Sequence, residues 1–453
     1  MSVIFTHAAI VVGVLLTGSA IIWVLQQRRS PQSALAWIVF IVSVPYLGVP
    51  LFYALGMRKR GVNYAPIGFL PSTGAVDPVH RIDDQLRRLD LPAATGGNAV
   101  SLETTAEDAR ESLHALVAGA SERIDVVLYR LDPDAYSRAF VDALTEAVGR
   151  GVHVRLILDH FGTVRRPRTA LRRLRDAGGE MRLFSPVPNF GWSGRLNLRN
   201  HRKMVIADGQ AVWSGGRNVG KTYFGANDAP GTWIDLSYRI EGPVVQRYCE
   251  VFEADWAKET GAALPDPCRP VPAVIGGATA QLIPSGPDFP HDGLHDALVH
   301  AIHTARDRIW IVTPYILPSD QLQHALVTAA HLGRDVRLIV PSRSNQRVAD
   351  FARGAYLRDL EEAGCKILRY SGQMLHAKAM IFDDVAILGS ANFDVRSMLL
   401  NFETALALYD PRSVAELAAW TRSLEANCTL GTKPAPLPRR LAEATFRLGA
   451  PIL

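Results

Sequence analysis

The body of this chain is written twice, and that limits its possible folds more than any bulk property does. "SERIDVVLYRLDPD" (121–134) matches "RDRIWIVTPYILPSD" (306–320), and "GVHVRLILD" (151–159) matches "GRDVRLIVP" (333–341). "LRRLRDAGGEMRLFSP" (171–186) matches "YLRDLEEAGCKILRYSG" (356–372), and "HRKMVIADGQAVWSGGRN" (201–218) matches "HAKAMIFDDVAILGSAN" (376–392). Four matches in one order establish an internal duplication. Each copy alternates β-branched runs with helical patterns ending in Ala-Gly, which predicts β-α-β layers on a largely parallel sheet. The expected fold is α/β: two tandem α/β/α repeats, 99–262 and 281–430, forming a pseudo-twofold unit. A linker over 61–98 precedes them, the Pro- and Gly-rich 263–280 joins them, and a tail over 431–453 follows.

The N-terminus is of another kind. Residues 1–27 contain no Asp, Glu, Lys or Arg, and a second uncharged run follows between Arg29 and Arg58. A bilayer span takes about 20 apolar residues, so a transmembrane helical hairpin is expected within 1–60, at about 5–27 and 33–56. A cleaved signal peptide fits poorly, because the basic n-region is missing and a second apolar run follows at once. Pro45 and Pro50 predict a kink that tilts the second segment or makes it re-enter. Trp23, Trp37, Tyr46 and Tyr53 are candidate interfacial anchors. The basic run 57–60 on the domain side and the basic pair Arg28-Arg29 in the short loop pull orientation in opposite directions. Four scattered cysteines, Cys249, Cys268, Cys365 and Cys428, make neither a disulfide framework nor a zinc knuckle and suit a reducing compartment. The expectation is a cell (inner) membrane protein with its large domain in the cytoplasm.

A formal charge of +5 suits an anionic partner without choosing among nucleic acid, phospholipid and phosphate ester. The choice comes from His201-Arg202-Lys203. On an extended strand His201 and Lys203 share a face, while Met204 and Ile206 turn toward a core. Asp208-Gly209 signals a two-residue hairpin, and "AVWSGG" returns. His376, Lys378, Asp383 and "VAILGS" repeat this with a turn one residue shorter. One His-x-Lys is ordinarily a solvated edge, but the chain holds only seven lysines and two fall in matching motifs. An ammonium can hold a phosphate oxygen, and an imidazole can attack phosphorus or exchange a proton. A pseudo-twofold would bring both histidines to one phosphate.

"HRKMVIAD" with "GGRN" and "HAKAMIFD" with "GSAN" resemble the paired H-x-K-x4-D motifs of the phospholipase D superfamily. The apolar N-terminus with "RRSPQSALAWIVF", together with "RIWIVTPYILPSD", resembles bacterial cardiolipin synthases. The resemblance implies one active site between the repeats, chemistry without metal or other cofactor, and a phosphohistidine intermediate. Carried over by residue, His201 is the nucleophile and His376 the general acid/base. Lys203, Lys378, Asn218 and Asn392 hold the non-bridging oxygens. Asp235 and Glu403 orient the histidines, Asp235 serving His201. Gly216 stands where the second copy has Ser390, whose hydroxyl could bind the phosphate or leaving oxygen. Asp208 and Asp383 sit in turns, away from the His/Lys face, and read as structural.

The implied function is a membrane phosphatidyltransferase that makes cardiolipin from two phosphatidylglycerol molecules and releases glycerol. The alternative is a phospholipase D that hydrolyses headgroups. Expected partners are anionic phospholipids and the bilayer. No nucleic acid is expected, and nothing in the sequence sets an oligomeric state. No Gly-rich nucleotide loop is present. His291, His295, His300 and His303 read as a solvated helix face rather than a metal site. The basic 164–175 run and the amphipathic end of the tail each suit either a lipid surface or ordinary packing. Trp192, Trp213, Trp233 and Tyr315 suit an acyl-chain entrance or the core.

Overall fold

The computed structural model describes residues 2–27, 31–56, 67–71, 74–185, 197–226, 229–261 and 274–449. Arg28, Arg29, the basic run 57–60, Trp192, Cys268 and most of the 263–280 linker lie outside them. The first half carries β1 (Thr95–Glu103), β2 (Arg123–Leu128), β3 (His153–Asp159), β4 (Glu180–Phe184), β5 (Met204–Ala207), β6 (Ala211–Gly215) and β7 (Ser237–Glu241). The second half begins with β8 (Ala278–Ser285), β9 (Arg308–Val312), β10 (Ile316–Leu317), β11 (Asp335–Pro341) and β12 (Lys366–Tyr370). It ends with β13 (Ala379–Phe382), β14 (Val385–Gly389), β15 (Phe393–Asp394), β16 (Glu403–Leu408) and β17 (Cys428–Leu430).

One sheet runs through both halves, in the order β17-β12-β11-β9-β13-β14-β16-β8-β1-β7-β6-β5-β2-β3-β4. Read outward from the antiparallel β8–β1 pair, the two sides present equivalent strands in the same order, as a pseudo-twofold requires. The sheet is not largely parallel, as the β-α-β pattern suggested. Among the described strands of this sheet only β2-β3-β4 and β9-β11-β12 are parallel. The motif hairpins β5–β6 and β13–β14 fold straight back through tight turns, which can join only antiparallel strands.

The sheet is covered on both faces. One core, including Met204, Ile206, Leu282, Ile381 and Leu406, is continuous across the two halves. The helices Val245–Thr260 and Pro411–Glu425 contribute to it. The opposite face holds a separate core for each half. The helices that follow the first parallel strand of each half start alike. Asp134 caps Ser137 N at 3.0 Å and Ser319 caps Leu322 N at 3.3 Å, each satisfying an otherwise orphaned donor.

The first helix, Ser2–Gln26, has no charged side chain. The second segment is a helix over Pro31–Ser43, a break at Val44, and a turn of helix over Pro45–Leu51. The break falls just before Pro45, one of the two prolines expected to kink the segment, while Pro50 lies within the turn of helix that follows. At Gly48 the chain doubles back so closely that a Cβ would lie 2.8 Å from Ile41 Cα. Trp37, Ile41, Val49 and Phe52 pack with Ala20 and Val24 into a small core of their own. Among the described residues no helix is long and apolar enough to cross a membrane.

Two side issues of the sequence resolve here. The tail helix Leu437–Gly449 packs on the helix Arg347–Glu362: Glu443 is buried against Arg358, and Arg447 pairs with Asp359 at 2.6 Å. The histidine-rich helix Gly293–Thr304 is not uniformly solvated. His295 is buried and meets Ser319 Oγ at 2.8 Å, while His300 meets Gln85 at 2.7 Å.

Candidate active site

Each H-x-K triplet lies on the extended lead-in to its hairpin strand, just before β5 and β13 rather than within them. The lead-ins are held by the opposite half. His201 N donates to Phe402 O (2.9 Å) and Phe402 N to Arg199 O (2.9 Å). In the mirror arrangement His376 N donates to Ile234 O (2.7 Å) and Ile234 N to Met374 O (2.9 Å). Phe402 and Ile234 immediately precede Glu403 and Leu236-flanked Asp235, so this backbone pairing delivers each carboxylate to the other half's histidine.

The consequence corrects the expected pairing. His201 Nδ1 lies 3.0 Å from both oxygens of Glu403, and His376 Nδ1 lies 2.6 Å from Asp235 Oδ2. Asp235 does not serve His201. Sequence order suggested a partner within the same copy, but the backbone pairs run between the halves. Each carboxylate favours the tautomer with its proton on Nδ1 and leaves Nε2 unbound by it.

Both histidines line one cleft of about 490 Å³. Burial pushes His201 down to about 4, against the pull of Glu403. Burial, then the Lys378 ammonium, pushes His376 down to about 3. Burial works against the carboxylates, yet Lys378 and His376 hold Asp235 well below the usual range, and His201 and Lys203 hold Glu403 at about 2. The directions agree on neutral imidazoles beside ionised carboxylates. The buried lysines are pushed down to about 7 (Lys203) and about 8 (Lys378). Lys203 Nζ donates to His201 O at 2.6 Å, and Lys378 Nζ donates to His376 O. Lys378 also stands 2.8 Å from His376 Nδ1; since that nitrogen gives its proton to Asp235, the ammonium acts there as a nearby charge.

The remaining expected ligands divide. Asn392 lines the cleft, and its Oδ1 is buried with no partner among the described residues. Asn218 lines it too, but Oδ1 accepts from Arg130 N (3.0 Å) and Nδ2 donates to Tyr223 (3.2 Å), leaving one amide hydrogen for a ligand. Ser390 does not face the phosphate position. Its fully buried hydroxyl donates to Glu403 Oε2 at 2.5 Å and accepts from Thr404 N at 3.0 Å. Gly216 is the counterpart for a steric reason: a Cβ there would overlap Asp235 Oδ1.

Asp208 and Asp383 are remote from the ring nitrogens and do the same job twice. Asp208 accepts from the backbone N–H groups of Ser121, Glu122 and Arg123 at 2.8–2.9 Å. Asp383 accepts from those of Arg306, Asp307 and Arg308 at 2.6–3.0 Å. Each pins its hairpin turn to the start of the neighbouring parallel strand, with φ of 54° and 50° at the aspartates. The first turn has three residues, 208–210, because Ala207 pairs with Ala211; the second has two, 383–384.

Sequence reasoning missed four groups. Arg130, Arg199 and Arg396 line the cleft beside the motif residues. Arg130 follows the end of β2, at the position that Tyr315 holds after β9, and strand ends of this kind are where ligands meet an α/β sheet. The fourth is Arg202, the middle residue of the first triplet. It is fully buried and joins Asp255 (2.7 Å) to Asp288 (3.2 Å), tying the halves together below the site. Of the four tryptophans and tyrosines noted, Trp233 and Tyr315 line the cleft around His376, and Trp213 is core, donating to Glu103 at 2.8 Å.

Comparison with known proteins places this geometry. The family model described as "Cardiolipin synthase, PLD-like domain" matches residues 113–256 and 298–424, and one described as "Phospholipase_D-nuclease N-terminal" matches 15–56. The cardiolipin synthase A of Shigella boydii serotype 4 is 32% identical over 481 aligned residues, covering 97% of this chain and 96% of that protein. That of Escherichia coli O1:K1 gives the same identity and coverage. The crystal structure of phosphatidylserine synthase from Haemophilus influenzae Rd KW20 shares the fold, with a TM-score of 0.62 at 14% identity over 83% of this chain and all of that one.

Proposed function

The chain belongs to the cardiolipin synthase family of phospholipase D-like proteins, and from that premise we propose that it joins two phosphatidylglycerol molecules into cardiolipin and releases glycerol. One observation carries the mechanism: two imidazoles in a single cleft, each with Nδ1 fixed by a carboxylate from the opposite half.

His201 is the nucleophile. Its ring is the more open of the two, 12% exposed against 7%, and among the described residues it stands edge-on to Tyr129 at 4.8 Å, whereas Tyr223, Trp233 and Tyr315 surround His376. Nε2 of His201 attacks phosphorus, the bond from phosphorus to the glycerol oxygen breaks, and protonated His376 gives its proton to that oxygen. A phosphodiester anion beside His376 favours the protonated form that this step needs. The glycerol leaves. The free hydroxyl of a second phosphatidylglycerol then gives its proton to His376 as its oxygen attacks phosphorus, and His201 departs. Lys203, Lys378 and Asn392 stabilise charge on the non-bridging oxygens of each five-coordinate transition state. Arg130, Arg199 and Arg396 add positive charge suited to two anionic lipids in turn. Arg202, Ser390, Asp208 and Asp383 position the site without touching substrate.

The N-terminal helices hold the cleft at the membrane. Large apolar side chains such as Val14, Leu15, Leu25 and Val42 face outward from them, more than half exposed, which suits lipid better than water. In this reading both apolar segments lie against the lipid, the second bent at Val44. The basic run 57–60 and the scarcity of cysteine in the body of the chain support a cytoplasmic domain at the cell membrane.

The test is to supply labelled phosphatidylglycerol to the detergent-purified protein without nucleotide or added metal. Cardiolipin with stoichiometric glycerol is the expected product. Phosphatidic acid alone would make the protein a hydrolase, and no turnover would contradict both.

A further inference from the structure

The start of the helix Arg347–Glu362 separates two hollows. Val348 and Ala349 face the catalytic cleft, while Arg347 and Arg353 line a second cavity of about 750 Å³. The tail closes this second cavity with Lys433 and Arg439, and Arg343 and Arg369 come from the loop after β11 and from β12.

Its charge is unbalanced. Arg358 and Arg439 are engaged with Glu443, the latter at 2.8 Å. Arg343, Arg347, Arg353, Arg369 and Lys433 then face the single remaining acid, Asp350. Asp350 itself is in use: its Oδ2 accepts from Ser344 N at 2.7 Å and its Oδ1 lies 3.0 Å from Arg353 Nη2. Arg353 is only 7% exposed, and its Nη2 donates to Pro341 O at 2.7 Å. Its Nη1 is buried with no partner among the described residues. A buried charged donor without an acceptor is costly, and converging guanidinium groups repel one another. An anion with several oxygens would relieve both, and planar guanidinium forks match phosphate best.

We propose that this cavity is an accessory site for the phosphate of an anionic phospholipid, separate from the catalytic cleft. The lipid source is argued from the tail. Leu437 and Leu441, on the segment that supplies Lys433 and Arg439, are 68% and 61% exposed, so apolar surface lies beside the phosphate site. On this helix Glu443 is buried against the protein while Leu437 and Leu441 face outward, the reverse of what ordinary packing of those residues would give. The site shares one helix with the catalytic cleft, so a lipid held here sits next to the reaction. Only the choice of lipid rests on the transferase reading; the anion site stands apart from it.

The experiment uses the full-length protein in detergent with a photoactivatable phosphatidylglycerol analogue, mapping labelled peptides by mass spectrometry. The 431–443 segment borders the accessory cavity and contributes nothing to the catalytic cleft, so its labelling reports this site whether or not turnover occurs. Labelling of that segment is expected, competed by unlabelled phosphatidylglycerol and weakly by inorganic phosphate. The exposed pair Arg343→Ala/Lys433→Ala should weaken it more than about tenfold, at roughly fivefold per basic residue, while leaving labelling around His201 in place. Buried Arg353→Met, checked for folding by thermal melting, should act in the same direction. Equal competition by inorganic phosphate would replace lipid with free phosphate as the ligand. An unlabelled 431–443 segment, or labelling indifferent to Arg343→Ala/Lys433→Ala, would overturn the proposal.

Discussion

Around His201 the orienting carboxylate is a glutamate braced by two side chains, Ser390 at 2.5 Å and Asn401 at 3.2 Å. Around His376 it is an aspartate pressed against the bare Cα of Gly216, with Oδ1 taken by Leu236 N at 2.8 Å. The longer acid has a serine beside it, and the shorter acid has no side chain there at all. The two half-sites thus reach the same imidazole geometry by different packing. Their surroundings differ as well: among the described residues one aromatic ring stands beside His201 and three stand around His376. A duplicated motif has kept its Nδ1–carboxylate bond and its backbone frame and diverged in the side chains packed around them, as distinct nucleophile and acid/base roles would require.

The largest difference between the half-sites should appear on removing the imidazoles. His201→Ala is expected to lose more than about 10⁴-fold in kcat with no covalent intermediate. His376→Ala should lose about 10²–10⁴-fold and accumulate phosphatidyl-His201, detectable by intact-protein mass spectrometry. An adduct on His376 in the His201→Ala protein would reverse the assignment.

Next come the carboxylates. Asp235→Asn and Glu403→Gln preserve shape but let Nδ1 keep the wrong tautomer, and each should cost about 10³–10⁴-fold in kcat with KM little changed. If Asp235→Asn left kcat intact, its contact with His376 would be catalytically idle.

Smaller still is the exchange of their neighbours. Gly216→Ser places a Cβ where Asp235 Oδ1 lies, so a loss of about 10²-fold is expected from displacing His376. Ser390→Gly removes one hydrogen bond to Glu403, worth about 1.5–3 kcal/mol to a charged group, or some tenfold to a hundredfold. Steady-state kinetics would rank them, and equal tolerance at both positions would show the half-sites to be interchangeable.

The mildest probe is pH. Without substrate the imidazoles, held near 4 and 3, stay neutral through the neutral range, and the substrate's anion favours the protonated His376 that the first step uses. The lysines lose their protons as pH rises past about 7 and about 8, and with them their grip on phosphate. The kcat/KM profile should therefore fall on the alkaline side of neutrality, and a profile flat to strongly alkaline pH would contradict charged lysines as phosphate ligands.

The parts of this site that recur could be read from the sequence. His201, Lys203, His376 and Lys378 stood out because two of the chain's seven lysines appeared at one spacing from a histidine, and Asp208 and Asp383 could be set aside because each began a turn. The partner of each histidine could not be read the same way. It depends on the Asn200–Phe402 and Ile234–Leu375 bridges between halves, and no periodicity within one copy encodes a contact with the other. Ser390 looked like a phosphate ligand for the same reason: a hydroxyl near the motif is visible in sequence, its direction is not. The parallel sheet was overread because helix-strand alternation describes only β2-β3-β4 and β9-β11-β12, not the hairpins that carry the chemistry. Arg202 was hidden because alternation puts a guanidinium on the core face with Met204, and nothing in the sequence names its partners until the buried Asp255 and Asp288 are seen beside it.

The crossed pairing itself can be observed by nitrogen NMR of the full-length protein with isotopically labelled histidine, assigned by single substitutions. Glu403→Gln should shift the tautomer equilibrium of His201 and leave His376 as it was, and Asp235→Asn should do the reverse. If Asp235→Asn instead moved the His201 resonances and spared those of His376, each carboxylate would serve its own half, and the account of a site assembled by exchange between the halves would be wrong.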